Sequence, residues 1–133
     1  MYVVPFPPSV NQYWRSVAMG RHVRVLISRR GRLYREGVLA ALRAHHVTWS
    51  PLEQRLRVRV TLNPPDRRVR DLDNFAKALL DAFTHARVWN DDALIDELTI
   101  IRGPVMSPGR ACVQIGIIDA PTKTDIPPAD HIG

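Results

Sequence analysis

From Leu56 to Leu62 every second residue is apolar, with Arg55, Arg57, Arg59 and Thr61 at the positions between and beside them. Period two is the signature of a strand with one buried face. It predicts a strand over residues 55–63, ended by Pro64 and Pro65. A slower rhythm follows. Leu72, Phe75, Ala76, Leu79, Leu80 and Phe83 recur at intervals of three and four, as on one face of an amphipathic helix. Upstream, residues 1–6 read as a short strand broken by Pro5, Pro7 and Pro8, and residues 9–15 as an irregular loop that is both aromatic and polar. Val23, Val25 and Ile27 alternate with His22 and Arg24, a second strand over residues 21–27. Ser28 suits the N-cap of a helix running to about residue 46, with Tyr34, Val38, Ala41, Leu42 and His45 inward; Gly31 and Gly37 weaken it locally.

Residues 47–51 form a connection, and residues 95–102 and 110–118 read as a hairpin across the Gly-Pro-containing loop 103–109. The order ββαβαββ implies an α+β fold: a single domain in which two helices pack on a mixed β-sheet. Residues 1–119 form that domain. Residues 120–133, with Pro121, Pro127 and Pro128 and little to bury, are expected to be a mobile tail. A chain of 133 residues supports one real core but not two.

Composition narrows the classes. The single cysteine, Cys112, excludes an intrachain disulfide and a cysteine-based zinc site, and suits a reducing cytoplasm. The start of the chain lacks the basic region and apolar run of a signal peptide, and no stretch nears the roughly 20 apolar residues that span a bilayer. No Gly-rich phosphate loop or serine-nucleophile motif is present. The net charge is +6; Asp119, Lys123, Asp125 and Asp130 leave the last fifteen residues at −2, so residues 1–118 carry +8. That balance points to a polyanionic partner. Of nineteen basic residues only Lys77 and Lys123 are lysines. Arginine favours bidentate phosphate contacts, although a GC-rich genome gives the same bias.

The candidate chemistry lies around the second helix. Asp71 and Asp73 are two residues apart, Lys77 follows four residues later, and Asp91 and Asp92 come after the helix. Asp73 is well placed as an N-cap, and Asp71 lies in the extended approach to it. If the turn after the helix folds back, Asp91 and Asp92 reach the same place and complete a cluster of hard oxygen ligands suited to Mg2+, with Mn2+ as a substitute. Such a site can activate water and neutralise a scissile phosphate, with a lysine stabilising the developing charge. Aspartates at helix starts and turns are also ordinary caps and turn formers, and Lys77 can pair with Asp73 at i, i+4 or with Asp81 on the next turn. Arg67, Arg68 and Arg70 precede the acids and are candidate phosphate contacts; Arg55, Arg57 and Arg59 read as a solvated strand face. Tyr13 and Trp14 are placed either to stack on an unpaired base or to plug a core edge.

The stretch PPDRRVRDLDNFAKALLDAF, followed by VWNDDALIDEL, closely resembles the RusA family of Holliday-junction resolvases, and the opening PFPPSVNQYWR is similar to that family's Pro-Pro-Ser-x-Asn motif. The resemblance runs over most of residues 3–118 and leaves out the tail. It implies a small homodimeric Mg2+-dependent endonuclease, often prophage-encoded, that cuts four-way DNA junctions by paired symmetric nicks in recombination and repair. On the matching positions Asp71, Asp73 and Asp92 would be the metal-binding catalytic acids, with Asp91 in the same cluster, Lys77 the essential lysine and Arg70 a DNA contact. No organic cofactor and no membrane are implied. Two other readings stay open: a nuclease for other branched or flapped DNA, and a junction-binding protein without catalysis. The region between the two N-terminal strands, the connection at 47–54 and the tail depart from the family pattern.

Overall fold

The computed structural model describes residues 1–45 and 50–118; the expectations for residues 46–49 and for the tail from 119 onward lie outside the described residues. Strand β4 (Leu56–Asn63) is central. Leu56, Val58, Val60 and Leu62 are buried, as their alternation predicts, while Arg55, Arg57 and Arg59 stand on the open face. Both edges of β4 are paired. Strand β5 (Ile95–Arg102) runs parallel to it, and β6 (Arg110–Ile117) runs antiparallel on the other side. Strand β1 (Tyr2–Pro5) closes the sheet against β6, giving the order β1-β6-β4-β5.

Residues 95–102 and 110–117 are therefore strands, but they are not the hairpin their spacing predicts. Strand β4 lies between them. The loop after β5 crosses the end of β4 and is tied to it: Gly103 N–H donates to the Leu62 carbonyl (2.8 Å), Asn63 Nδ2 to the Pro104 carbonyl (3.0 Å) and Met106 N–H to the Pro64 carbonyl (2.8 Å). A two-strand step is about 10 Å, well within reach of a seven-residue loop. Chain neighbours often pair, but the strand with the most buried face takes the centre.

Two long helices cover the apolar face. Helix α2 (Arg29–Ala44) starts at Ser28, whose Oγ accepts from Gly31 N–H (2.9 Å), and buries Tyr34, Val38 and Leu42. Ala41 is half-buried, and His45 is exposed, edge-on to the Tyr2 ring. Gly31 is required there: a Cβ would lie 2.5 Å from the Tyr13 carbonyl oxygen. Helix α3 (Asp73–His85) buries Ala78, Leu79, Ala82 and Phe83 against the same core. The architecture is α+β in a single unit, as expected, with three additions.

Residues 9–15 are not irregular. They contain a one-turn helix, α1 (Val10–Tyr13), in which Ser9 N–H donates to Gln12 Oε1 (3.2 Å), followed directly by β2 (Trp14–Met19). Strand β2 pairs antiparallel with β3 (His22–Ile27) as a two-stranded ribbon separate from the main sheet. At the base of the ribbon Trp14 and Ile27 pack on the core, while Val23 and Val25 are exposed towards its tip. The third addition is a polar tie. Tyr13 is fully buried, and its hydroxyl donates to the Asp81 carboxylate, which also accepts from Arg35 Nη2 (2.8 Å). Burial, and then the bond to Asp81, push the phenol above its ordinary pKa. Tyr13 thus links α1, α2 and α3 and is not a platform for a base. No described helix is long and apolar enough to cross a membrane.

Candidate active site

Helix α3 begins one residue earlier than the aspartate spacing predicts. Leu72 already has helical φ and ψ, Asn74 N–H donates to the Asp71 carbonyl (3.1 Å) and Phe75 N–H to that of Leu72 (3.2 Å). Asp73 is therefore the first residue of the helix rather than its cap. Its carboxylate stays in the positive field of the N-terminus but accepts no capping hydrogen bond. Both Asp71 and Asp73 are exposed, and among the described residues neither side chain makes a hydrogen bond or an ion pair.

That freedom stands out in a chain so rich in arginine. Asp66 pairs with Arg68 and Arg70, Asp81 with Arg35, Asp96 with Arg55, and Glu97 with Arg57. The arginine stripe on β4 is thus paired with β5 at Arg55 and Arg57, across a register shift at Leu56/Arg57 that sets Asp96 and Glu97 in line with them. Glu36, on the outer side of α2, is the other described carboxylate with no pairing of any kind.

The far end of α3 returns the chain to the acids. Arg87 N–H donates to the Thr84 carbonyl (3.0 Å) and Val88 N–H to that of Phe83 (3.1 Å), the two bonds of a Schellman cap. Arg87 occupies the left-handed position of that cap at φ 65°, where glycine is normally found. Arg87→Gly is therefore expected to raise stability by about 0.5–1 kcal/mol; urea unfolding followed by circular dichroism checks this.

Beyond the cap, Trp89 is fully buried, stacks on Phe83 at 5.4 Å, and donates from Nε1 to Thr84 Oγ1 (2.7 Å). Leu52 brackets it through its N–H to the Val88 carbonyl and its carbonyl to Asn90 N–H, each 3.0 Å. This anchor delivers Asp91 and Asp92 to a single 3-10 turn (Asp92–Leu94) that packs against α3. Asp91 Oδ1 accepts from Ala93 N–H at 2.9 Å. That backbone bond above all, with the nearby charge of Lys77, holds Asp91 below the ordinary carboxylate range. Lys77 Nζ lies 3.8 Å from Asp92 Oδ2.

The structure thus brings Lys77, Asp91 and Asp92 together. Of the two partners its position on the helix allows, Lys77 takes neither Asp73 nor Asp81; the latter is committed to Arg35 and Tyr13. Asp73 opens α3 one turn before Lys77, and Asp71 lies two residues ahead of the helix, but among the described residues no three carboxylates, histidines or cysteines stand close enough to form a ready metal shell.

The approach to the acids is built by arginines. Asp66 accepts from Arg68 N–H (3.0 Å) and pairs with Arg70 Nη1 (2.8 Å), so its carboxyl is held well below the usual range, chiefly by Arg70. The Arg70 side chain is turned inward, only 13% exposed, with its guanidinium over the Phe6 ring at 5.6 Å. Arg102 Nη2 donates to the Arg70 carbonyl at 2.6 Å. Arg67 and Arg68 point outward; Arg67 makes no side-chain contact of these kinds, and Arg68 remains 82% exposed although paired with Asp66. The roles of Asp66 and Arg102 in shaping this loop have no local signal except the i, i+4 spacing of Asp66 and Arg70.

Residues 5–116 match the family model described as Endodeoxyribonuclease RusA. The chain is 39% identical over 114 residues to a crossover junction endodeoxyribonuclease of Enterobacteria phage HK97, covering 86% of this chain and 91% of that protein. It is 36% identical over 107 residues to the proteins so named in Enterobacteria phage 82 and in Escherichia coli K12, in each case over 80% of this chain and 85% of the relative.

Proposed function

We propose, on the premise that the chain belongs to the RusA family of endodeoxyribonucleases, that it resolves four-way DNA junctions by Mg2+-dependent paired nicks. The observation that supports this best is the contrast among its acids. Asp66, Asp96 and Glu97 are neutralised by arginines, whereas Asp71 and Asp73 are exposed and unpaired, Asp73 one turn before a lysine that faces Asp92. Exposed carboxylates with no partner contribute little to folding, and on a face that binds DNA they repel phosphate. As ligands for a hard cation they are the right donors.

Asp71, Asp73, Asp91 and Asp92 would hold Mg2+, or Mn2+ in its place, which when bound supplies an activated water and neutralises charge on the phosphate. Bare carboxylates repel one another, so an unliganded chain is expected to keep them apart until a cation offsets that repulsion. Lys77 places a positive point charge at the side of the site where negative charge develops on the phosphate. Arg67 and Arg68 take the flanking phosphates, while Arg70, already held by Asp66 and Phe6, keeps the loop in the shape that presents them. Paired nicks need two sites related by a two-fold axis, and one chain carries one acidic cluster, so the acting species is a homodimer. This reading places the enzyme in the cytoplasm, in recombination and repair of host or prophage DNA.

The test is direct. Incubated with a four-way junction, a flap and a linear duplex, each with and without Mg2+, the protein should cut the junction symmetrically, and only with metal. Sedimentation should show two chains per junction. Equal cutting of the flap, or cutting in EDTA, defeats the reading.

Salt dependence gives a second check. Replacing Arg67 and Arg68 by alanine should reduce the slope of log K against log salt by up to about 0.9 per arginine. An unchanged slope, measured by fluorescence anisotropy, means neither side chain touches phosphate.

A further inference from the structure

Beside the acids lies a cavity of about 580 Å³, walled by Phe6, Gln12, Arg30, Leu33, Gly37 and Phe75 among others. The volume is within the range of small-ligand sites, about 300–1,000 Å³. It shares its wall with the candidate active site: Arg70 immediately precedes Asp71, and Phe75 lies two residues after Asp73 on α3. We propose that this pocket receives one unpaired nucleobase of the DNA strand whose phosphate lies at the acids.

Three observations carry this. The first is the aromatic wall. The Phe6 and Phe75 rings touch at 5.3 Å, too close to admit a base between them, so a base stacks on the outside of the pair. The second is charge. Arg30, Arg68 and Arg70 line the pocket, and with only Asp66 shared by the last two the wall stays net positive, which favours a nucleotide over a cationic or neutral guest. Gln12 spends Oε1 on Ser9 N–H, leaving its Nε2 hydrogens for an acceptor on a base edge.

The third is Gly37. Glycine inside a helix is less favourable than alanine by about 1 kcal/mol. At Gly31 packing demands it, but at Gly37 a Cβ meets nothing closer than Pro5 Cγ at 3.5 Å, an ordinary contact. Packing gives no reason for glycine there. Position 37 lines the pocket on the same side of α2 as Leu33, and any long side chain at 37 enters the space a base would take.

The proposal rests on the junction-cleaving reading, and the experiment separates the two. Junctions lacking a single base at each position within two nucleotides of the cut phosphate are titrated in EDTA against the full chain, Gly37→Leu and Gly37→Ala. One abasic position should weaken binding by the parent chain roughly five- to hundredfold, as expected for loss of one stacked base. Gly37→Leu should lose a similar factor on the intact junction and nothing further on that abasic one. Gly37→Ala should melt higher but lose part of the same factor on the intact junction, less than Gly37→Leu does. Leu33→Trp, at a half-exposed rim position, repeats the block should Gly37→Leu melt early.

A parent chain that cuts junctions but binds every abasic version as tightly as the intact one overturns the pocket alone. So do losses from the abasic site and the filled pocket that simply multiply. A filled pocket that shifts the oligomeric state instead makes the cavity a contact between copies and overturns it as well. A parent chain that neither binds nor cuts junctions defeats the underlying reading.

Discussion

Lys77→Ala is expected to cut a four-way junction about 10²–10³-fold more slowly than the parent chain, with its fold and junction affinity nearly intact. The magnitude is that of removing one group aimed at developing charge in a transition state. The structural loss is small. Lys77 is 56% exposed, its contact with Asp92 is a long one at 3.8 Å, and surface pairs of this kind contribute about 0–1 kcal/mol. Alanine is also the best helix former. The arginine variant is the more discriminating one. If Lys77 serves only to pair with Asp92, Lys77→Arg should be neutral or slightly stabilising, since guanidinium pairs well with carboxylate. If it supplies a compact point charge beside a crowded phosphate, the broader planar group misplaces that charge, and cutting stays slow. Single-turnover cleavage and thermal melts on both variants separate the two roles. Normal cutting by Lys77→Arg would reduce Lys77 to a surface cation.

Much of this site is legible in the sequence because its parts are local. The amphipathic period of α3, the acids at its start, Lys77 on the next turn and the return of Asp91 and Asp92 all follow from spacing within about twenty residues. What is not legible depends on long-range partners. Arg55 and Arg57 read as a solvated stripe because their partners, Asp96 and Glu97, lie forty residues away and become neighbours only when β5 pairs parallel to β4. The expected hairpin of residues 95–118 fails for the same reason. Strand length and a Gly-Pro loop give two strands, but which one takes the place beside each edge of β4 is set by burial in the whole sheet. Tyr13 is hidden as a core tie because its partners are Asp81 and Arg35, on two other helices.

Some signals were present locally. Ser9 followed by Gln12 is the Ser-x-x-Gln form of a capping box, which marks the start of α1. Trp14 to Met19 lacks clean alternation, so β2 emerges only from its register with β3. At Asp73 the cap expectation is overturned by one residue, because Leu72 tolerates helical geometry and the Asp71 carbonyl takes the first bond. That shift matters for function. A capping aspartate has its oxygen occupied by backbone N–H groups, whereas a first-turn aspartate keeps both oxygens free.

Asp73→Asn follows from that geometry and should lower cleavage by about 10²-fold or more while leaving the protein folded. The side chains are nearly the same size. With no capping bond to lose, the structural effect is the interaction of one negative charge with the helix N-terminus, about 0.3–1 kcal/mol. A loss of that size moves the melting temperature by only about 1–6 °C. The chemical effect is larger, because a neutral amide is a poorer ligand for a hard cation than a carboxylate. In EDTA the sign reverses. An exposed carboxylate near a phosphate is repulsive until a cation lies between them, so the asparagine variant should bind a junction as tightly as the parent chain or more tightly. Titrating Mg2+ against cleavage should show the variant needing more metal for whatever activity remains. Junction affinity in EDTA and single-turnover rate in Mg2+, measured on one preparation, distinguish the outcomes. Near-normal cutting removes Asp73 from the metal site. Weakened binding in EDTA together with a melting temperature lowered well beyond the range above makes Asp73 a structural residue, and leaves Asp71, Asp91 and Asp92 as the carboxylates to test next.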